Sequence, residues 1–180
     1  MQAADSNTTP LELPIRNIEL QDGRRIPLAS ICEDRPAALV FLRHLGCTFC
    51  REHAAQLGPH SEWNMYFVVL GDKAEAIRFR DELHLPQNLI CEPDGDLFRE
   101  FGLQETSIAK VFTPHVFIRG AQATMRGVHQ GARGRLPLML GGSFVVAAGG
   151  RIVWSHPARD VADNASPAEI EKALAEAAAG

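Results

Sequence analysis

Leu39-Val40-Phe41-Leu42-Arg43-His44-Leu45-Gly46-Cys47-Thr48-Phe49-Cys50-Arg51-Glu52-His53-Ala54-Ala55-Gln56-Leu57 is the stretch on which the reading of the whole chain turns. It opens as an apolar run with the length of a buried strand and breaks at Gly46. Two cysteines then follow at C-x-x-C spacing, on what the pattern predicts to be the first turn of a helix. The first N–H groups of a helix have no partner within it, and the helix dipole adds partial positive charge there, so a thiolate is favoured over a thiol. Cysteines so placed titrate at about 3.5–7.5 instead of about 8.5. Cys47, the outer one, is therefore the candidate nucleophile. Cys50, one turn on, is the candidate resolving thiol, close enough to attack a mixed disulfide or sulfenic acid on Cys47. Arg43, His44 and Arg51 are the candidate sources of nearby positive charge.

Outward from that motif, the apolar runs and turn signals alternate. Ile18 to Leu20 and Ile26 to Leu28 flank Asp22-Gly23 and read as a β-hairpin with a tight, positive-φ turn. Ala37 to Leu42 is the first core strand, and Cys47 to about Leu57 the first helix, stopped by Gly58-Pro59. Met65 to Leu70 is a second continuous apolar run, of the kind a parallel strand covered on both faces shows. Lys73 to Leu85 carries apolar residues at helical spacing and is expected to end at Pro86. Leu89 to Cys91 is a short strand, followed by a Pro93-Asp94-Gly95 turn and a small helix from Asp96 to Phe101.

The segment from Gln104 to Leu140 is the least periodic. Thr113-Pro114 predicts a helix start with a helix to Met125, and Gly127, Gly131 and Gly134 predict a flexible Gly/Arg loop over 126–135. Gly142 to Ala148 and Arg151 to His156 flank Gly149-Gly150 as a second hairpin with a primed turn. Ser166, Pro167 and Glu169 form a capping box that opens an Ala-rich last helix running to Ala179. The expected organisation is a flexible tail over 1–14 and a single α/β domain over 15–180, with a mixed central sheet flanked by helices.

Composition bounds the function. The chain has 180 residues, a net charge of −4 and 46% hydrophobic residues, which suits one globular domain and gives nothing basic enough for nucleic acid. Residues 1–14 lack the basic and apolar regions of a secretory signal, and no apolar run reaches the ~18 residues of a membrane span. The expectation is a soluble, cytoplasmic protein. Four cysteines are too few for a secreted disulfide framework, so a C-x-x-C beside a strand–helix junction points to redox work.

The order of elements is that of a thioredoxin-like fold. The hairpin with Asp22-Gly23, the Cys47-Thr48-Phe49-Cys50-Arg51-Glu52 motif, Asp94-Gly95-Asp96-Leu97-Phe98-Arg99-Glu100-Phe101-Gly102-Leu103, and Gly141-Gly142-Ser143-Phe144-Val145-Val146 with Gly149-Gly150 carry a closer likeness. Together they resemble the alkyl hydroperoxide reductase / thiol-specific antioxidant superfamily, over about Glu19 to Leu174. Within it the chain is similar to the peroxiredoxin-like C-x-x-C branch that includes prostamide/prostaglandin F synthase-like proteins. The resemblance implies a reactive Cys47, a hydroperoxide or disulfide substrate, a thioredoxin-like reductant, no metal or organic cofactor, and pairing into a homodimer as in many relatives. It also implies a guanidinium near the thiolate, for which Arg119, Arg126 and Arg133 are candidates, Arg126 the one retained. Typical peroxiredoxins place Thr or Ser three residues before the reactive cysteine and Pro before it; His44 and Leu45-Gly46 stand there. Thioredoxins place a cis-proline before the strand that faces the dithiol, where this chain has Gly141-Gly142.

Other readings stay open on the sequence. A second reading, behind that of an oxidoreductase, takes the dithiol as a redox sensor or binding module, with the 126–135 loop docking a partner. Cys47, Cys50 and His53, with His44 before them, have spacing a zinc ion accepts, although no second ligand pair accompanies them. Arg51 stands where haem attachment requires histidine. Cys32 and Cys91 read as buried structural thiols, His53 as a surface or satisfied histidine, and Trp63 and Trp154 as core or rim aromatics.

Overall fold

Every residue of the strand Ala37–Leu42 (β3) is buried, which a strand achieves only with helices or loops on both faces of its sheet. The computed structural model describes residues 11–103 and 139–180, and β3 is the third strand from one edge in a seven-stranded mixed sheet. The other strands are Asn17–Leu20 (β1), Arg25–Pro27 (β2), Met65–Val69 (β4), Asn88–Cys91 (β5), Gly142–Val146 (β6) and Ile152–Pro157 (β7). Their order is β2-β1-β5-β4-β3-β6-β7. β3, β4 and β5 run parallel, as chain returns through helices require, while β1 pairs antiparallel with β5 and β6 with β3.

The helices are Thr48–Leu57 (α1), Lys73–Glu82 (α2), Asp96–Glu100 (α3) and Pro167–Ala179 (α4), with a 3₁₀ turn over Leu28–Cys32. Alternate β3 side chains sort the two cores. Ala38, Val40 and Leu42 join Phe67, Ala54, Leu57, Phe79 and Ile170 in the core beneath α1, α2 and α4. Leu39 and Phe41 join Leu28, Phe98, Phe101 and Phe144 in the core on the opposite face. There Phe41 packs its ring against those of Phe101 and Phe98, with centroids 4.8 and 4.9 Å away. Each large apolar side chain buried this way is worth about 1.5–3 kcal/mol.

Both hairpins form, with turns that differ from the expected primed pairs. In the first, Gly23 N–H donates to Leu20 O and only Gly23 has positive φ (86°). The loop is therefore a four-residue turn closed by a glycine bulge. In the second, Gly150 N–H donates to Ala147 O, and a bulge sets Val146 opposite Ile152 while Val145 faces Trp154. β6 ends at Val146 and β7 starts at Ile152, the loop between them closed by Ala147 N–H donating to Arg151 O at 2.8 Å.

α2 stops at Glu82, short of the expected Leu85, because His84 adopts φ 51°. His84 N–H then bonds Asp81 O and Leu85 N–H bonds Arg80 O, a Schellman closure made three residues before Pro86 would end the helix. α4 opens as read, with Ser166 and Glu169 in a reciprocal capping box and Pro167 in the first turn. From Leu11 the chain is tied to the second hairpin, Leu13 N–H donating to Gly150 O and Ile152 N–H to Leu11 O, both 2.9 Å. Residues 1–10 of the expected tail, the 114–125 helix and the 126–135 loop lie outside the described residues. Among the described residues no helix is long and apolar enough to cross a membrane.

Candidate active site

β3 delivers the chain to the site and then bends at Arg43. A tight turn over His44 to Gly46 follows, held by Cys47 N–H donating to His44 O at 3.2 Å. Cys47 is the N-cap of α1, with extended backbone (φ −75°, ψ 125°), and Cys50 lies one turn along. Both thiols are buried, 4% and 6% exposed. The bend turns the Arg43 side chain back so that its Nη2 donates to Cys47 Sγ at 2.6 Å. Arg43 is itself 7% exposed, so this is a charge-assisted contact shielded from water.

The two cysteines are driven apart in acidity. Hydrogen bonding from the Cys50 thiol, then the Arg43 guanidinium and the backbone N–H groups of Cys50 and Phe49, hold Cys47 down to about 6 against the opposing effect of burial. Donation to Cys47, burial and the neighbouring negative charge push Cys50 well above the usual thiol range. A thiol is a weak hydrogen-bond donor while a guanidinium carries a full charge. The Arg43 contact is thus the one that makes an anion at Cys47 tolerable in a dry site. At neutral pH the arrangement is one thiolate and one thiol three residues apart.

The other sequence candidates separate into near and far. His44 is buried in the turn, and its backbone does the work: its carbonyl closes the turn and its N–H faces the Cys50 sulfur. Arg51 points to α2, where it pairs with Glu82 at 2.9 Å and lies 5.7 Å from the centre of the Phe79 ring. Arg126, with Arg119 and Arg133, lies outside the described residues. Two arginines and a histidine border the motif in sequence; the bend after β3 brings Arg43 to the Cys47 sulfur, while Arg51 reaches the turn only through the Leu45 carbonyl.

Two contacts from the segment before α4 brace the first turns of α1. Asn164 Nδ2 donates to Phe49 O at 3.3 Å, and His53 Nε2 hydrogen-bonds Ala165 O at 2.9 Å. Burial lowers His53 to about 4, so it is neutral and donates. Among the described residues no group of three or more His, Cys, Asp or Glu side chains is arranged to hold a metal ion. Cys32, at the end of the 3₁₀ turn, and Cys91, at the end of β5, are buried thiols away from the motif, and burial raises both, Cys91 to about 11.

Gly141 brings β6 against the end of β3. Its carbonyl accepts from Ala158 N–H at 3.0 Å, and a Cβ there would run into the Phe41 carbonyl oxygen. Backbone cannot give way as a side-chain tip can, so Gly141→Ala is expected to destabilise the fold by about 2 kcal/mol. It is also expected to shift the Arg43 bend, lowering the thiolate fraction of Cys47. Urea unfolding and ultraviolet titration of the thiolate check the two effects; an unchanged midpoint would contradict the close approach.

The comparisons agree with this architecture. The AhpC/TSA antioxidant enzyme family matches residues 52–160, more than half the chain and beginning just past both cysteines. Human peroxiredoxin-like 2C is 23% identical over 168 residues, 85% of this chain and 73% of that protein. The prostamide/prostaglandin F synthase of Salmo salar is 26% identical over 161 residues, 84% of this chain and 80% of that one. In fold, the chain is similar to peroxidoxin BcpB of Mycobacterium tuberculosis, with a TM-score of 0.65 at 15% identity over 95% of this chain and 96% of that one. With its mixed sheet, flanking helices and family match together, the chain belongs to the AhpC/TSA antioxidant enzyme family and has the α/β thioredoxin-like fold.

Proposed function

We propose that the chain is a thiol-dependent oxidoreductase in which the Cys47 thiolate attacks a hydroperoxide or a disulfide and Cys50 resolves the product. The observation that carries this reading is the buried Arg43 guanidinium 2.6 Å from Cys47 Sγ, at the N-cap of α1. With a hydroperoxide, sulfur attacks the outer oxygen, the O–O bond breaks, and the leaving alkoxide takes a proton to become an alcohol. Arg43 holds the thiolate before attack and lies beside the negative charge that moves onto the leaving oxygen. The Cys50 thiol then displaces water from the Cys47 sulfenic acid to give a Cys47–Cys50 disulfide. An external dithiol of the thioredoxin type takes the disulfide back to two thiols. Peroxide attack and resolution use the two thiols and the guanidinium; only the return to two thiols draws on the external dithiol.

Oxidation by one equivalent of cumene hydroperoxide, followed by non-reducing peptide mapping, tests the assignment. The expected product is a Cys47–Cys50 disulfide in the native chain and a dimedone-trapped Cys47 sulfenic acid in Cys50→Ser. A disulfide involving Cys32 or Cys91 instead, or an unmodified Cys47, would sink it. Repeated turnover with thioredoxin separates an enzyme from a sensor that oxidises once and waits.

A further inference from the structure

We propose that Asn164 is a positioning residue for the Cys47 thiolate, acting through a single peptide group, the one that joins Phe49 to Cys50. The inference rests on the reading of Cys47 as the nucleophile and adds to it a side chain from the far end of the chain, outside the motif.

Cys47 caps α1, so its side chain lies toward the N–H groups of Phe49 and Cys50, the second and third residues of the helix. Both N–H groups favour the anion there, alongside the Cys50 thiol and the Arg43 guanidinium. The Cys50 N–H belongs to the same planar peptide as the Phe49 carbonyl. Asn164 Nδ2 donates to that carbonyl oxygen at 3.3 Å. The groups therefore stand in series: Asn164 amide, Phe49 carbonyl, Cys50 N–H, Cys47 sulfur. A donor on the oxygen polarises the peptide and strengthens its N–H toward an anion on the other side, by roughly 10–30% per bond in such chains. It also fixes the plane of the peptide, which sets where the N–H points. The amide is neutral, so it does this without placing a second charge beside Arg43.

Asn164 reaches Phe49 from a segment whose own bonds hold it in place. Between β7 and α4, Asp163 accepts from His156 Nε2 at 3.2 Å, from the Arg159 backbone N–H at 3.0 Å and from Arg159 Nε at 2.7 Å. Asp160 Oδ1 accepts from Ala162 N–H at 2.8 Å, and Asn164 N–H donates to Ala162 O at 3.2 Å. His53 pins the next residue, Ala165, to α1. The two contacts with α1 differ in what they transmit. Ala165 O meets a side chain of the helix, whereas Asn164 meets the peptide that faces the sulfur, so of the two only Asn164 acts on the acidity of Cys47. The charged and titratable groups facing Cys47 are Cys50, on α1, and Arg43, from the end of β3. Those facing the segment of Asn164 are His156 from β7, His53 from α1 and Arg159 within it.

The test is ultraviolet titration of the thiolate in the full chain, with the Cys47→Ser absorbance subtracted, beside the rate of Cys47 oxidation by cumene hydroperoxide. Asn164→Leu is expected to raise the titration by about half a pH unit from its place near 6. Oxidation should then slow about twofold at pH 6 and hardly at pH 8, where Cys47 is ionised in both proteins. Asn164→Gln, which keeps an amide donor, should recover part of the shift. His53→Leu, which breaks the neighbouring brace, is expected to lower the urea midpoint and leave the titration in place. An unmoved titration in Asn164→Leu overturns the inference. So do equal shifts in Asn164→Leu and Asn164→Gln, or in Asn164→Leu and His53→Leu. If His53→Leu does not fold, the glutamine comparison decides. The absorbance reads the thiolate whether or not it meets peroxide. A Cys47 that titrates near 6 and resists hydroperoxide defeats the proposed reaction; a titration indifferent to Asn164 defeats this inference alone.

Discussion

Cys47→Ser is expected to lower peroxide-dependent turnover by a factor on the order of 10³ or more while leaving the fold in place. The loss is chemical. Peroxide oxygen is attacked by the thiolate, and a serine hydroxyl in the same dry site is essentially un-ionised near pH 7. Arg43 can hydrogen-bond the hydroxyl but cannot make it an anion. The retained fold follows from the position of the residue. Cys47 is the N-cap of α1, and its sulfur makes no cap hydrogen bond of full geometry, the Phe49 and Cys50 N–H groups facing it only weakly. Serine is a preferred N-cap whose oxygen accepts from the second or third helical N–H, here Phe49 or Cys50, for about 1 kcal/mol. That gain opposes the cost of leaving Arg43 beside a neutral group, so the net stability change is expected within about 2 kcal/mol. Thioredoxin-coupled NADPH oxidation and urea unfolding on the same preparation check both halves. A variant retaining more than about a tenth of native turnover would remove Cys47 from the nucleophile's role.

Much of the architecture was legible because its signals are local. The apolar run ending at Leu42, the break at Gly46 and the C-x-x-C fix a strand–turn–helix without any distant contact. Ser166, Pro167 and Glu169 open α4 through bonds made within four residues. What stayed hidden depends on tertiary arrangement. Choosing Arg43 over His44 and Arg51 requires the bend at the end of β3 and the pull of Glu82, on another helix, upon Arg51. The end of α2 was misplaced because a histidine in the left-handed region closes it, a role the rules assign first to glycine or asparagine. His53 is satisfied by Ala165, 112 residues away, and no pattern within α1 announces that partner.

Burial of that same histidine, which its bond to Ala165 only partly offsets, makes the protein acid-labile in a defined window. His53 is buried and neutral, lowered from its ordinary 6.5 to about 4 by desolvation, with the charge of His156 acting in the same direction. In the unfolded chain His53 takes a proton near 6.5. Between about 4 and 6.5 the unfolded state therefore binds more protons than the folded one, and stability rises with pH. The contribution is complete above 6.5 and lost progressively as pH falls to about 4. At 1.36 kcal/mol per pH unit, this window is worth about 3 kcal/mol. Other groups act elsewhere or in opposition: Asp163, held to about 2 by Arg159 and His156 despite burial, matters at lower pH. Burial raises Glu92, which makes acid less harmful there, and Cys47 contributes mainly above its own titration near 6. The comparison that isolates His53 is with His53→Gln, whose amide N–H can donate to Ala165 O without titrating. Urea midpoints measured from about pH 4 to 8 should fall with acid in the native chain and do so by about 3 kcal/mol less in the variant. Parallel curves would show that His53 is not the group being protonated, and that the bond bracing the Cys47–Cys50 turn against the α4 segment survives acid.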